Sequence, residues 1–133
     1  MISAGAPVPA ATVQTIRSLC EPEAKFWTPY GATECLPVAV IEGEQLSLTR
    51  AGTEQGFGTC IGWPLPENSV RLIQIRDEAI ADWHDDLLVA QGEIGEVTVA
   101  GPSATDSYFR REQANQLGKI REVLPQGIER IVH

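Results

Sequence analysis

The stretch Thr28-Pro29-Tyr30-Gly31-Ala32-Thr33-Glu34 decides how this chain is read. Residues 24–28 read as a short buried strand in which Lys25, Phe26 and Trp27 run directly into the Tyr30 loop. Upstream, Pro7 and Pro9 precede residues 10–20, where Val13, Ile16 and Cys20 recur at helical spacing with Leu19 beside them. Glu21-Pro22 should end that helix, because proline disfavours helical geometry in the residue before it. A helix, a strand and a loop at the strand's carboxyl end is the arrangement in which α/β sheets bind ligands. The loop has the chemistry for one. Tyr30 offers a flat face for a purine, Gly31 lets the backbone turn or approach a ligand closely, Thr33 supplies a hydroxyl for a phosphate oxygen, and Glu34 is a hard oxygen ligand for Mg2+.

Tyr30-Gly31-Ala32-Thr33-Glu34 resembles the YGxTE motif of the adenylate-forming AMP-binding ligases, the superfamily of acyl- and aryl-CoA synthetases, peptide-synthetase adenylation domains and luciferases. Two further matches follow that family's order. Ser3-Ala4-Gly5-Ala6-Pro7 resembles its adenine loop, with Ala4 in place of the first glycine of the usual doublet. Gly92-Glu93-Ile94-Gly95-Glu96-Val97, then Gly101-Pro102 and Tyr108, resembles its GExGEL and GP segments, with Ser107 where a glycine usually precedes the tyrosine. The resemblance implies that Gly5, Ala6, Pro7, Tyr30, Gly31, Ala32 and Thr33 bind ATP. Thr33 would meet the α-phosphate and Glu34 the Mg2+, making these two the catalytic pair. It further implies a small-molecule carboxylic acid as co-substrate, with CoA as a candidate acceptor. Within the superfamily, the motifs look most similar to the fatty-acid-ligase-like enzymes of bacterial olefin biosynthesis, which act on β-hydroxy acids and yield β-lactones rather than CoA thioesters.

The family's Ser/Thr/Gly-rich phosphate loop, its ribose-binding motif and its C-terminal lysine domain have no counterpart in these residues. The expectation is an internal segment of a longer ligase, inactive alone. Its fold should be mixed α/β and β-rich, with residues 1–36 closing an α/β nucleotide-binding subdomain and residues 37–133 forming a small β-barrel-like subdomain. Cutting such a domain should expose sheet edges and apolar faces, so self-association of the isolated piece is expected. The alternative is a non-catalytic nucleotide-binding or protein-interaction module.

Charge narrows the partners. Ten basic against 18 acidic residues give a net charge of −8, which repels a phosphate backbone and excludes nucleic acid as a partner. Cys20, Cys35 and Cys60 form no CxxC or Cys/His ligand spacing and read as buried thiols of a cytoplasmic protein. The apolar run from Leu36 to Ile41 is far shorter than the ~20 residues of a membrane span.

Beyond the pentapeptide, residues 38–41, 69–76 and 96–100 read as strands, Glu42-Gly43-Glu44 as a turn, 53–58 as a glycine-rich loop and 110–119 as a polar helix. Asp82-Trp83-His84-Asp85-Asp86 reads as a surface acidic turn rather than a metal site, because adjacent residues rarely converge on one ion. Glu93 and Glu96, flanked by glycines, read as a solvated turn rather than an acid/base pair, and Trp63 with Pro64 and Pro66 as a packing corner.

Overall fold

The computed structural model describes residues 1–133, the side chain of Ala10 excepted. The chain divides into two compact units, Met1–Ala32 with Leu36–Leu65, and Thr33–Cys35 with Pro66–His133. The division therefore falls after Leu65 and not at the expected 36/37 boundary. The strand that follows Glu34 explains why, since the Val38 carbonyl accepts from Leu65 N at 3.1 Å and ties the whole 36–65 segment to the first unit.

The first unit opens on α1 (Ala10–Ser18), shorter than expected because Leu19 and Cys20 already close it with bonds to the Ile16 and Arg17 carbonyls. β1 (Trp27–Ala32) and β2 (Cys35–Glu42) are joined by the two-residue turn Thr33-Glu34, and β3 (Trp63–Pro64) completes a sheet of order β1-β2-β3. The expected strand at 24–28 thus lies three residues further on, and Tyr30 belongs to the strand itself. The presumed corner at Trp63 is an antiparallel strand, with Val40 opposite Trp63.

Glu42-Gly43-Glu44 is not a turn but the start of α2 (Gly43–Leu48): the Glu42 carboxylate accepts from Glu44 N at 2.8 Å and caps the helix. Gly43 is buried, and a Cβ there would stand 2.9 Å from Val13 Cγ1, so the missing side chain lets α2 close against α1. Val13, Phe26, Ile41 and Leu46 form the core of this unit. A further short helix, α3 (Arg50–Glu54), occupies the start of the expected glycine-rich loop.

Gly62 carries a sharper constraint. Its φ of +84° lies in the left-handed region, and a Cβ would fall 2.1 Å from the Val40 carbonyl oxygen. Gly62→Ala should lower stability by about 2–3 kcal/mol, combining backbone strain with a clash against main chain that cannot swing aside. A urea titration following Trp fluorescence will read this as a lower midpoint at unchanged slope.

The second unit contains two antiparallel ribbons. β4 (Ser69–Ile73) pairs with β5 (Glu96–Ala100), Val70 opposite Val99, and β6 (Ile120–Val123) pairs with β7 (Glu129–Val132), Ile120 opposite Val132. Reciprocal bonds between Val99 and His133, at 2.6 and 2.8 Å, join the ribbons. The sheets do not close, so the expected barrel-like form is absent: each is two-stranded. Ile73, Leu87, Ala100, Ile120 and Val132 form the core, with Ile80 and Trp83 packed against it. α4 (Glu112–Gly118) precedes β6.

Inside this unit Glu122 is buried, and both its oxygens are engaged. Arg71 grips it bidentately at 2.7 and 2.8 Å, and Arg130 Nε adds a third bond at 2.6 Å. The Arg71 guanidinium is also stacked 3.5 Å from the Trp83 ring centroid. The hydrogen bonds from Arg71 hold the Glu122 carboxyl at about 2, against the burial that would raise it.

Candidate functional site

In the first unit, the chain's opening residues lie parallel beside β1. Trp27 N donates to the Met1 carbonyl and Ser3 N to the Trp27 carbonyl, at 2.9 and 3.0 Å. This pairing carries the next residues along the strand, so that Gly5, Ala6 and Pro7 line one cleft with Tyr30 and Gly31. The cleft is about 460 Å³, within the range of small-molecule sites. Gly5 has φ +101° and open space around it, which leaves its backbone bare toward the cleft. Tyr30 is 38% exposed, its ring accessible rather than packed into the core.

Five of the eight expected site residues therefore meet in one place. Ala32, at the end of β1, is not among the lining residues. Thr33 and Glu34 form the following turn and belong to the second unit. Sequence reading missed a further wall of the cleft, where Thr59, Cys60 and Ile61 line it together with Gly5, Ala6 and Pro7. Only the glycines at 58 and 62, both at positive φ, marked this segment as unusual.

The second unit holds the Glu34 end. Glu34 presents its carbonyl to Thr105 N at 2.8 Å, and Cys35 forms an antiparallel bridge with Ala104. Its carboxylate is half-buried and makes no hydrogen bond or ion pair among the described residues. The Lys119 ammonium donates to the Thr105 carbonyl and, at 3.0 Å, to Thr105 Oγ1. Asn115 bonds both the N–H and the carbonyl of Tyr108, at 2.6 and 3.1 Å, and His133 donates from Nδ1 to the Gly118 carbonyl at 2.8 Å. Burial lowers the Lys119 pKa, with Asp106, Cys35 and Glu34 opposing it. Burial also raises the pKa of Tyr108, with Glu34 adding to the effect, and that of Cys35, which Lys119 partly offsets.

A magnesium ion bound to a nucleotide fits this donor set. Mg2+ keeps several waters and takes one or two carboxylates plus phosphate oxygens rather than a protein cage. Glu34 has both carboxylate oxygens unengaged and would be the residue to offer one, and among the described residues no group of three or more His, Cys, Asp or Glu could cage an ion. His84 precedes the 3-10 turn Asp85–Leu87, as the acidic-turn reading expected, and Glu93 accepts from Ala90 N at 3.1 Å instead of pairing with Glu96. Of the three cysteines only Cys35 is buried; Cys20 and Cys60 are half-buried. Among the described residues, no helix is long and apolar enough to cross a membrane.

The family model described as AMP-binding enzyme matches residues 1–109, a span that includes the Gly5–Pro7 segment, the cleft and the Thr33-Glu34 turn. The chain belongs to the AMP-binding enzyme family. It is 60% identical over 131 residues to the olefin β-lactone synthetase of Stenotrophomonas maltophilia and 56% identical over 131 residues to that of Xanthomonas campestris pv. campestris. The alignments cover 98% of this chain and 24% of each relative, so the chain spans about a quarter of their length. Among solved structures, the O-succinylbenzoate coenzyme A synthetase of Bacillus subtilis, in complex with ATP and magnesium ion, matches 99% of this chain and 25% of its own, with a TM-score of 0.58 at 22% identity. That likeness establishes the shared strand-rich α/β fold of the adenylate-forming ligases.

Proposed function

We propose that residues 1–133 supply the adenine platform and the metal carboxylate of an ATP-dependent ligase that activates a fatty or β-hydroxy fatty acid as its acyl-adenylate. The observation that carries this reading is the convergence of Gly5, Ala6 and Pro7 with Tyr30 and Gly31 on one cleft. These segments lie more than 20 residues apart in the chain, and together they set an exposed aromatic ring beside a bare glycine backbone, the pairing a flat heterocycle would use. Tyr30 would stack on the purine, and the open backbone at Gly5 would lie against its flat face. The Thr33 hydroxyl would donate to an α-phosphate oxygen, and Glu34 would hold Mg2+. When bound, that ion supplies positive charge that offsets the nucleotide phosphates.

In the reaction proposed, a substrate carboxylate oxygen attacks the α-phosphorus and pyrophosphate leaves. For a β-hydroxy acid, the hydroxyl oxygen can then attack the acyl carbon, releasing AMP and a proton and closing a β-lactone, the ring that gives the two bacterial relatives their names. The setting proposed is cytoplasmic, where ATP is available, and residues 1–133 alone would turn over nothing. The test is to incubate the full-length ligase with ATP, Mg2+ and a long-chain β-hydroxy acid and to follow AMP, pyrophosphate and product. A lactone without added CoA supports the reading, a thioester formed only with CoA reassigns the acceptor, and no pyrophosphate at all overturns it.

Tyr30→Ala should weaken ATP binding roughly 10- to 100-fold, matching the ~1–3 kcal/mol of an aromatic–base stack, whereas Tyr30→Phe should change it little. Titration calorimetry with a non-hydrolysable ATP analogue distinguishes the two variants.

A further inference from the structure

Lys119 is the one buried cation among the described residues, and no carboxylate lies within ion-pair distance of it there. A buried ammonium without a paired anion is expensive, and a methionine would fill the same space without that penalty. The hydrogen bonds of Lys119 go instead to one residue. Its Nζ holds the Thr105 carbonyl and hydroxyl, and Thr105 N in turn holds the Glu34 carbonyl at 2.8 Å. One helical turn earlier, Asn115 clamps both backbone groups of Tyr108, whose ring centroid is 5.2 Å from the Lys119 ammonium. Segment 105–108 is thus fastened at both ends to α4 and its cap, and residue 105 fastens Glu34. The Glu34 carboxylate itself has no hydrogen-bond or ion-pair partner among the described residues, so its orientation depends on this backbone anchor.

We propose that Lys119 is a positioning residue for Glu34: acting through Thr105, it fixes the main chain from which the carboxylate reaches the metal of a bound nucleotide. The inference rests on the reading of Glu34 given above. It differs from that reading in placing a role on a lysine whose side-chain hydrogen bonds go to Thr105.

Two measurements on the full-length ligase test it, using Lys119→Met, Thr105→Val and the double variant. The first is hydrogen exchange of the Thr105 amide without ligand, which should quicken about tenfold in Lys119→Met while the β4–β5 ribbon keeps its protection. The second is the Mg2+ concentration that half-saturates nucleotide binding, which should rise about tenfold, the scale expected for partners behind a metal ligand, while metal-free ATP affinity through the Tyr30 cleft moves less than twofold. Thr105→Val, exposed and nearly isosteric, should shift both in the same direction by less, and the double variant no further than Lys119→Met; it also carries the test if Lys119→Met does not fold. Unchanged Thr105 exchange, unchanged Mg2+ half-saturation or strictly additive effects would each overturn the proposal. If the parent ligase binds no Mg-ATP at all, the reading of the site fails first and takes this inference with it, an outcome visible before any variant is made.

Discussion

Glu34→Gln should lower acyl-adenylate formation by the full-length ligase roughly 10²- to 10³-fold and leave its thermal unfolding unchanged. The separation follows from how Glu34 is held. Its structural bond is made by the main chain, where the carbonyl accepts from Thr105 N, and a side-chain amide leaves that bond in place. Its carboxylate oxygens have no partner among the described residues, so exchanging one for NH2 strands no buried donor or acceptor in the free protein. What the exchange removes is a negative charge and one hard oxygen, which is what a magnesium ion would use. Rates of pyrophosphate release across a Mg2+ titration are the measurement. Parental rates at every concentration would eliminate the metal role.

The second large effect concerns stability. Glu122→Ala should destabilise the second unit by about 3 kcal/mol, because Arg71 and Arg130 would lose a carboxylate that takes three of their hydrogen bonds. The same network predicts a pH dependence with a definite sign. The folded carboxyl titrates at about 2, below its ordinary value of 4.5, so folding favours the ionised form. Its contribution is full above the unfolded value and is lost as pH falls through the folded one. The shift corresponds to about 3 kcal/mol across that window, in keeping with the substitution. Urea unfolding at pH 7 and again near pH 2.5 should show parent and variant about 3 kcal/mol apart in the first case and about 1 kcal/mol or less in the second. An equal gap at both values would mean that Glu122 acts through packing and not through its charge.

Legibility in the sequence depended on whether the deciding interaction was local. The Tyr30-to-Glu34 pentapeptide could be read because ring, turn, hydroxyl and carboxylate are consecutive. β5 was found with its bounds intact because Val97 and Val99 alternate with polar neighbours. β6 and β7 went unread for the opposite reason: Glu122 points inward beside Ile120, so a charged residue occupies a core position whose partners lie at Arg71 and Arg130. α2 was taken for a turn because Glu-Gly-Glu has turn composition, although the first glutamate caps a helix. Within the site, the two lining segments of the cleft carried motifs, whereas the Thr59–Ile61 wall did not. Lys119 looked like the polar end of a helix, and only contact with a residue 14 positions away reveals that it is enclosed.

The buried glycine at the head of α2 has a consequence for anyone wishing to harden this protein. Trading glycine for alanine early in a helix is an ordinary route to a sturdier chain, since it restricts the unfolded ensemble. At Gly43 that route is closed. An added methyl would press on Val13 Cγ1 at 2.9 Å and touch Phe26 at 3.4 Å, so this position acts as a spacer whose width is a hydrogen atom. Gly56 and Gly127 offer no substitute: an added side chain there meets open space, but φ of +92° and +75° strains any L residue.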